Sequence, residues 1–176
     1  MVFSAIIVFA AVIAASLIYA HVKARRLRSG SWDDLVASIE PVHAKALEIV
    51  ALDYMHPAGN QLKLEPDEMW TLVGGVDGLK RMRRNADRMI LLAAYVQRWN
   101  FDQAIIVAER IRHDSNLLKR ALFRIQIDLY LKRSGLRTPF HIHQAASSYY
   151  LLSKRLLALY ETSQYVLYPK LAAAVA

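Results

Sequence analysis

Residues 2–20, VFSAIIVFAAVIAASLIYA, carry no charged side chain. At about 1.5 Å per residue a helix of this length spans roughly 30 Å, the hydrocarbon thickness of a bilayer. No other stretch constrains the chain as strongly, because so apolar a segment has to be withdrawn from water. Lys23, Arg25, Arg26 and Arg28 follow at once, and no Lys or Arg precedes the run. The positive-inside tendency then places the N-terminus outside the cell membrane and the rest of the chain in the cytoplasm. The expectation is a single-pass anchor over 1–22 and a basic juxtamembrane linker over 23–30, with Lys23, Arg25, Arg26 and Arg28 against lipid headgroups.

Two readings compete with the anchor. A cleaved signal peptide has a basic leader, a shorter apolar core and small residues before the cut. Ala14, Ala15, Ser16 and Ala20 offer the small residues, but here the positive charge follows the core, which opposes export. The other is a buried helix of a soluble fold. The pairs Ala10/Ala14 and Ala11/Ala15 are spaced for close approach of two anchors, a weak pattern without glycine.

Charge is segmented along the chain. Residues 1–30 hold four basic side chains and no acid; residues 31–79 hold nine acids against Lys45 and Lys63. Residues 80–137 reverse this, with fourteen Lys and Arg against five acids, and the remainder is nearly neutral. The net charge of +8 hides this alternation, which bears on association rather than on fold. There is no cysteine, which excludes disulfides, thiolate zinc sites and cysteine nucleophiles.

Beyond residue 30 the periodicity is helical. Ser31 and Asp34 have capping-box spacing. A second helix follows Pro41 and runs to about Met55, HPAGNQLKLEP is a loop, and a short helix runs from Pro66 to the Gly74-Gly75 break. Three longer seams come next. Leu79, Met82, Ala86, Met89, Ala93 and Val96 form the first. Ala104, Ala108, Ile111, Ser115, Leu118, Leu122, Ile125 and Leu129 form the second, and Ile142, Ala145, Tyr149, Leu152, Leu156 and Leu159 the third. Steps of three and four bury one stripe of each helix. Asn100 and Gln103 mark a helix start, Gly135 a stop, and HDSN at 113–116 a point where the second long helix can kink. The expected fold is all-α: a transmembrane helix followed by an antiparallel bundle of about four main helices over 31–168, with an apolar tail at 169–176 that docks in a groove or rests on the bilayer.

Motifs for chemistry are sparse. Glu40 and His43, and Asp53 and His56, have the Glu-x-x-His type of spacing used in di-metal bundles, and Glu109 and His113 share a face. Pro41 interrupts the first pair, His56-Pro57 ends a helix, and the later seams carry no acid, so surface acids beside histidines is the simpler reading. His141 and His143 point roughly 200° apart on a helix and are expected to be exposed. His113-Asp114-Ser115 is adjacency, not a triad. No catalytic, metal-binding or cofactor-binding residue is assigned. Tyr149 belongs to the third seam, and Tyr150, Tyr165 and Tyr168 offer a partner surface or core edge.

The residual feature is the cluster Lys80, Arg81, Arg83, Arg84 and Arg88, which points away from the first seam as a charged-contact face. Asp77 and Asp87 are spaced to pair with Arg81 and Arg84. Arg110, Arg112, Lys119, Arg120 and Arg124 extend the charge onto the next helix. Three partners fit such a face: the acidic segment 31–79 of this chain or of a second copy, anionic lipid, and nucleic acid. The last lacks interleaved exposed aromatics and a recognition fold. The reading is a non-enzymatic, membrane-anchored interaction or scaffold protein; the alternatives are a membrane-associated nucleic-acid-binding or regulatory protein and a helical metal-dependent enzyme.

Overall fold

The computed structural model describes residues 31–56, 63–97, 101–131 and 137–175. The expected anchor and basic linker lie outside these residues. Among the described residues the chain is all helical, with no strand, and no helix is long and apolar enough to cross a membrane.

The helices are α1 Trp32–Ala37, α2 Ala44–Met55, α3 Pro66–Leu72, α4 Gly75–Gln97, α5 Phe101–Tyr130, α6 Arg137–Ser163 and α7 Tyr168–Val175. Local chemistry explains several boundaries. Ser31 caps α1 through a reciprocal capping box: its hydroxyl accepts from the Asp34 N–H, and its own N–H donates to the Asp34 carboxylate, both at 3.1 Å. Pro66 opens α3 at a position where no backbone N–H is needed, with Asp67 and Glu68 at the positive end of the helix. Gly74 and Gly75 turn the chain into α4 with φ of +75° and +57°, the left-handed region that glycine tolerates. Gly78, one turn into α4, looks from sequence like a weak point in the helix. The structure reverses that: a Cβ there would lie 1.8 Å from the Val73 carbonyl oxygen, so the α3–α4 corner closes only over glycine.

α6 is the central element and packs against α2, α4 and α5, with α3 and α7 in further contact. All six seam residues of α4 are buried, as are all six of α6. α5 buries Ala108, Ile111, Ser115, Leu118, Leu122 and Ile125, while Leu129 reaches the surface. α5 is one continuous helix through HDSN at residues 113–116. Each fully buried Leu, Ile or Met contributes about 1.5–3 kcal/mol relative to exposure, and the three seams supply most of the core.

α6 also buries a second face. The run Ala145, Ala146, Ser147 and Ser148 is buried throughout, and its small side chains allow helices to approach from opposite sides. His143 Nδ1 donates to the Val50 carbonyl at 3.2 Å, and one turn on the Ser147 hydroxyl donates to the Ala51 carbonyl at 3.5 Å, joining α6 to α2. His143 is thus buried, contrary to the exposed position expected from sequence, and it stacks on Tyr54. At the other end, Trp32 Nε1 donates to the Tyr160 hydroxyl, which donates to the Leu92 carbonyl, both at 2.9 Å. This chain of two bonds ties α1 to α6 and α4, and burial pushes the Tyr160 hydroxyl pKa well up. The apolar tail forms α7, with Leu171 and Val175 buried and Lys170 bonded to Asp33 at 2.6 Å. Of the two sites open to it from sequence, the tail takes the groove.

Candidate functional site

The basic cluster of α4 is not one surface. Asn85, fully buried on the inner flank of that helix, grips the backbone of Glu40: its Nδ2 donates to the Glu40 carbonyl at 2.8 Å, and its Oδ1 accepts from the Glu40 N–H at 2.9 Å. Nδ2 also donates to the Tyr149 hydroxyl at 3.1 Å, whose pKa is raised mainly by burial. With its backbone fixed, Glu40 places its carboxylate between two guanidinium groups. Arg84 donates through Nε at 2.6 Å and Nη2 at 2.5 Å, and Arg88 through Nη1 at 3.1 Å. The paired Arg84 fork, helped by Arg88, holds the Glu40 carboxyl at about 2, against an ordinary 4.5. Arg81 Nη1 donates to the Pro41 carbonyl at 3.3 Å.

Three of the five cluster residues therefore hold the connection between α1 and α2. Arg88 is half-buried in doing so, while Lys80, Arg81, Arg83 and Arg84 are exposed. The local pairs also differ from those the spacing suggests. Asp77 lies 3.7 Å from Lys80 rather than against Arg81, and Asp87 reaches across to Lys119 of α5 at 2.6 Å rather than back to Arg84. Arg83 makes no ion pair among the described residues. Asn85 escapes sequence reasoning because it is neutral and belongs to no motif. The one available signal is a polar residue between the seam positions Met82, Ala86 and Met89.

α5 carries the more open basic face. Arg112 pairs with Glu109, but Arg110, Arg120 and Arg124 are exposed and make no ion pair among the described residues. Beside the last two stand Phe123 and Ile127, also exposed. Aromatic and basic side chains are thus adjacent here, which the sequence pattern does not reveal, because Phe123 and Ile127 read equally well as a widened seam.

The remaining polar constellations are structural. Asp114 is buried and ion-paired with Arg155 of α6, so one later helix does place an acid beside its seam. Asp53 accepts from the backbone N–H groups of Lys63 and Leu64, and its carboxylate stands 3.7 Å from His143 Nε2. Glu40 is committed to arginines and His43 stands ahead of α2, so that pair shares no ligand geometry. No group of three or more His, Asp or Glu side chains is placed to hold a metal ion among the described residues. A cavity of about 300 Å³ between α2, α6 and α7 has an apolar side at Leu47, Leu157 and Val175 and a polar side at Lys45, Glu48, Ser153 and Lys154. Tyr150, at its edge, donates to Glu48 at 3.1 Å. No family model, curated protein or solved structure matches this chain.

Proposed function

We propose that this chain is a non-enzymatic, membrane-tethered interaction module. Residues 1–22 anchor it with the N-terminus outside, residues 23–30 meet anionic headgroups, and the helical bundle lies on the cytoplasmic side, where it contacts lipid or an acidic partner. The observation that carries this reading is the uncharged run 2–20 followed directly by Lys23, Arg25, Arg26 and Arg28. The distribution of charge in the bundle supports it. Glu40 is taken up by Arg84 and Arg88, Asp114 by Arg155, Asp87 by Lys119 and Asp33 by Lys170, while Arg83, Arg110, Arg120 and Arg124 face solvent with no acid in reach among the described residues. The cations left for a partner lie more on α5 than on the α4 cluster, and the exposed acids Glu65, Asp67 and Glu68 around α3 make no ion pair among the described residues.

Nucleic acid is the alternative partner, and Phe123 beside Arg120 and Arg124 is the observation in its favour. Such binding would weaken steeply with salt. The proposal is tested by alkaline carbonate extraction of membranes from cells making the full chain. An anchored protein stays in the pellet, and a chain that washes into the supernatant is not held by residues 1–22.

A further inference from the structure

The C-terminal half of α5 is apolar on both sides. Its inner side is satisfied by the bundle, with Leu118, Leu122 and Ile125 buried. On its outer side Phe123, Ile127, Tyr130 and Leu131 are 60%, 40%, 88% and 49% exposed. Positions 123, 127 and 130–131 are four and three to four residues apart, so these side chains form one stripe along the helix. Arg120 and Arg124 stand a turn apart on the same side. Between Asn116 and Leu131 the only acid is Asp128, half-buried and accepting from the Thr138 hydroxyl at 3.4 Å. The face therefore combines large apolar side chains with positive charge alone.

We propose that this outer face of α5 lies on the surface of an anionic bilayer, with Phe123 and Ile127 at the headgroup–acyl boundary and Arg120 and Arg124 on lipid phosphates. The inference rests on the reading that the chain is held at a membrane. A basic helix with aromatic and aliphatic side chains on one face is the chemistry of an interfacial helix, and guanidinium groups bind phosphate oxygens in pairs. Charge disfavours a second copy seated face to face. Two copies joined symmetrically through this face would set arginines against arginines with no exposed acid on the face to relieve them, whereas anionic lipid neutralises both.

The chain has no cysteine, so Ile127→Cys and, as a control on the outer surface of α6, Ala158→Cys each accept a single environment-sensitive fluorophore. The full-length chain is reconstituted in vesicles of phosphatidylcholine with and without phosphatidylserine, some carrying nitroxide-labelled lipid. The probe at 127 shifts to the blue and is quenched by the nitroxide only with phosphatidylserine, while the probe at 158 does neither. Arg120→Glu with Arg124→Glu lowers the ratio of docked to undocked protein by about 30-fold or more, from the usual contribution of a basic residue near an anionic surface. A cooperative thermal melt checks the fold of each variant, and Phe123→Cys is the second probe position if labelling at 127 disturbs it. Three results overturn the proposal: a probe at 127 as wet as that at 158; a blue shift without quenching by lipid, which means protein covers the face; or quenching that ignores phosphatidylserine and the arginine reversals. Carbonate extraction of the same vesicles reports on the anchor separately, so loss of the anchor and loss of the docked face are distinguishable.

Discussion

Glu40→Gln isolates the charge in the contact between α4 and the segment before α2. Glutamine keeps the backbone clamp to Asn85 and can still accept one bond from Arg84, so the substitution removes the negative charge and little else. A carboxyl held at about 2 instead of 4.5 corresponds to a ceiling of about 3 kcal/mol. The Glu40 side chain is 28% exposed and Arg84 49%, so solvent screening reduces this to about 1–1.5 kcal/mol at neutral pH. The sign follows from the direction of the shift. A carboxyl whose folded pKa is depressed contributes its full stability above its ordinary value. The contribution is lost as pH falls from about 5 to about 2. Urea titrations of the parent chain and Glu40→Gln in the same detergent, followed by circular dichroism, measure the difference at neutral pH and at successively lower pH. Acid destabilises both proteins through other carboxyls, but the gap between them belongs to Glu40. The gap closes across that window. A gap that persists unchanged at the acid end, or none at neutral pH, refutes the assignment of Arg84 and Arg88 to Glu40.

Other substitutions probe the joints of the bundle. Tyr160→Phe leaves the Trp32 indole N–H and the Leu92 carbonyl without their buried partner; it costs about 1–3 kcal/mol and lowers the melting temperature by several degrees in a calorimetric scan. Gly78→Ala drives a methyl group into the Val73 carbonyl, and an alanine that elsewhere favours a helix here lowers the urea midpoint. Arg155→Met strands the Asp114 carboxylate in a buried site, at a cost of about 3 kcal/mol, and adding Asp114→Leu restores part of the loss because the pair then leaves no unmatched charge; a thermal double-mutant cycle reads the recovery.

The long helices were legible in the sequence because their seams are simple: apolar residues at steps of three and four, with a polar outer face, leave one way to bury them. Ser31 with Asp34, Pro66 and the Gly74-Gly75 corner were legible for the same reason, since each matches a local stereochemical need. The second buried face of α6 was not. His143 reads as a surface residue, and it and Ser147 are buried because carbonyls of α2 lie across from them, which only the tertiary arrangement provides. Gly78 looks like a weak point because helix propensity counts against glycine, and the close approach of Val73 is invisible one residue at a time. The basic cluster is visible in the sequence, but the structure sorts its members: Arg84 and Arg88 belong to Glu40, and Arg120 and Arg124, in no ion pair among the described residues, sit on the next helix. Charge pattern finds basic residues; it does not say which of them an acid elsewhere in the fold already holds.

The central claim is that one segment crosses the membrane with the N-terminus outside and the bundle within. Because the chain has no cysteine, a single cysteine in a short polar tag fused ahead of Met1, and Glu68→Cys on the exposed face of α3, report the two sides separately. Intact cells making each variant are treated with a membrane-impermeant maleimide, before and after permeabilisation. The account predicts that the tag cysteine reacts in intact cells and that Glu68→Cys reacts only after permeabilisation. Labelling of Glu68→Cys in intact cells, or protection of the tag cysteine until the membrane is opened, contradicts it.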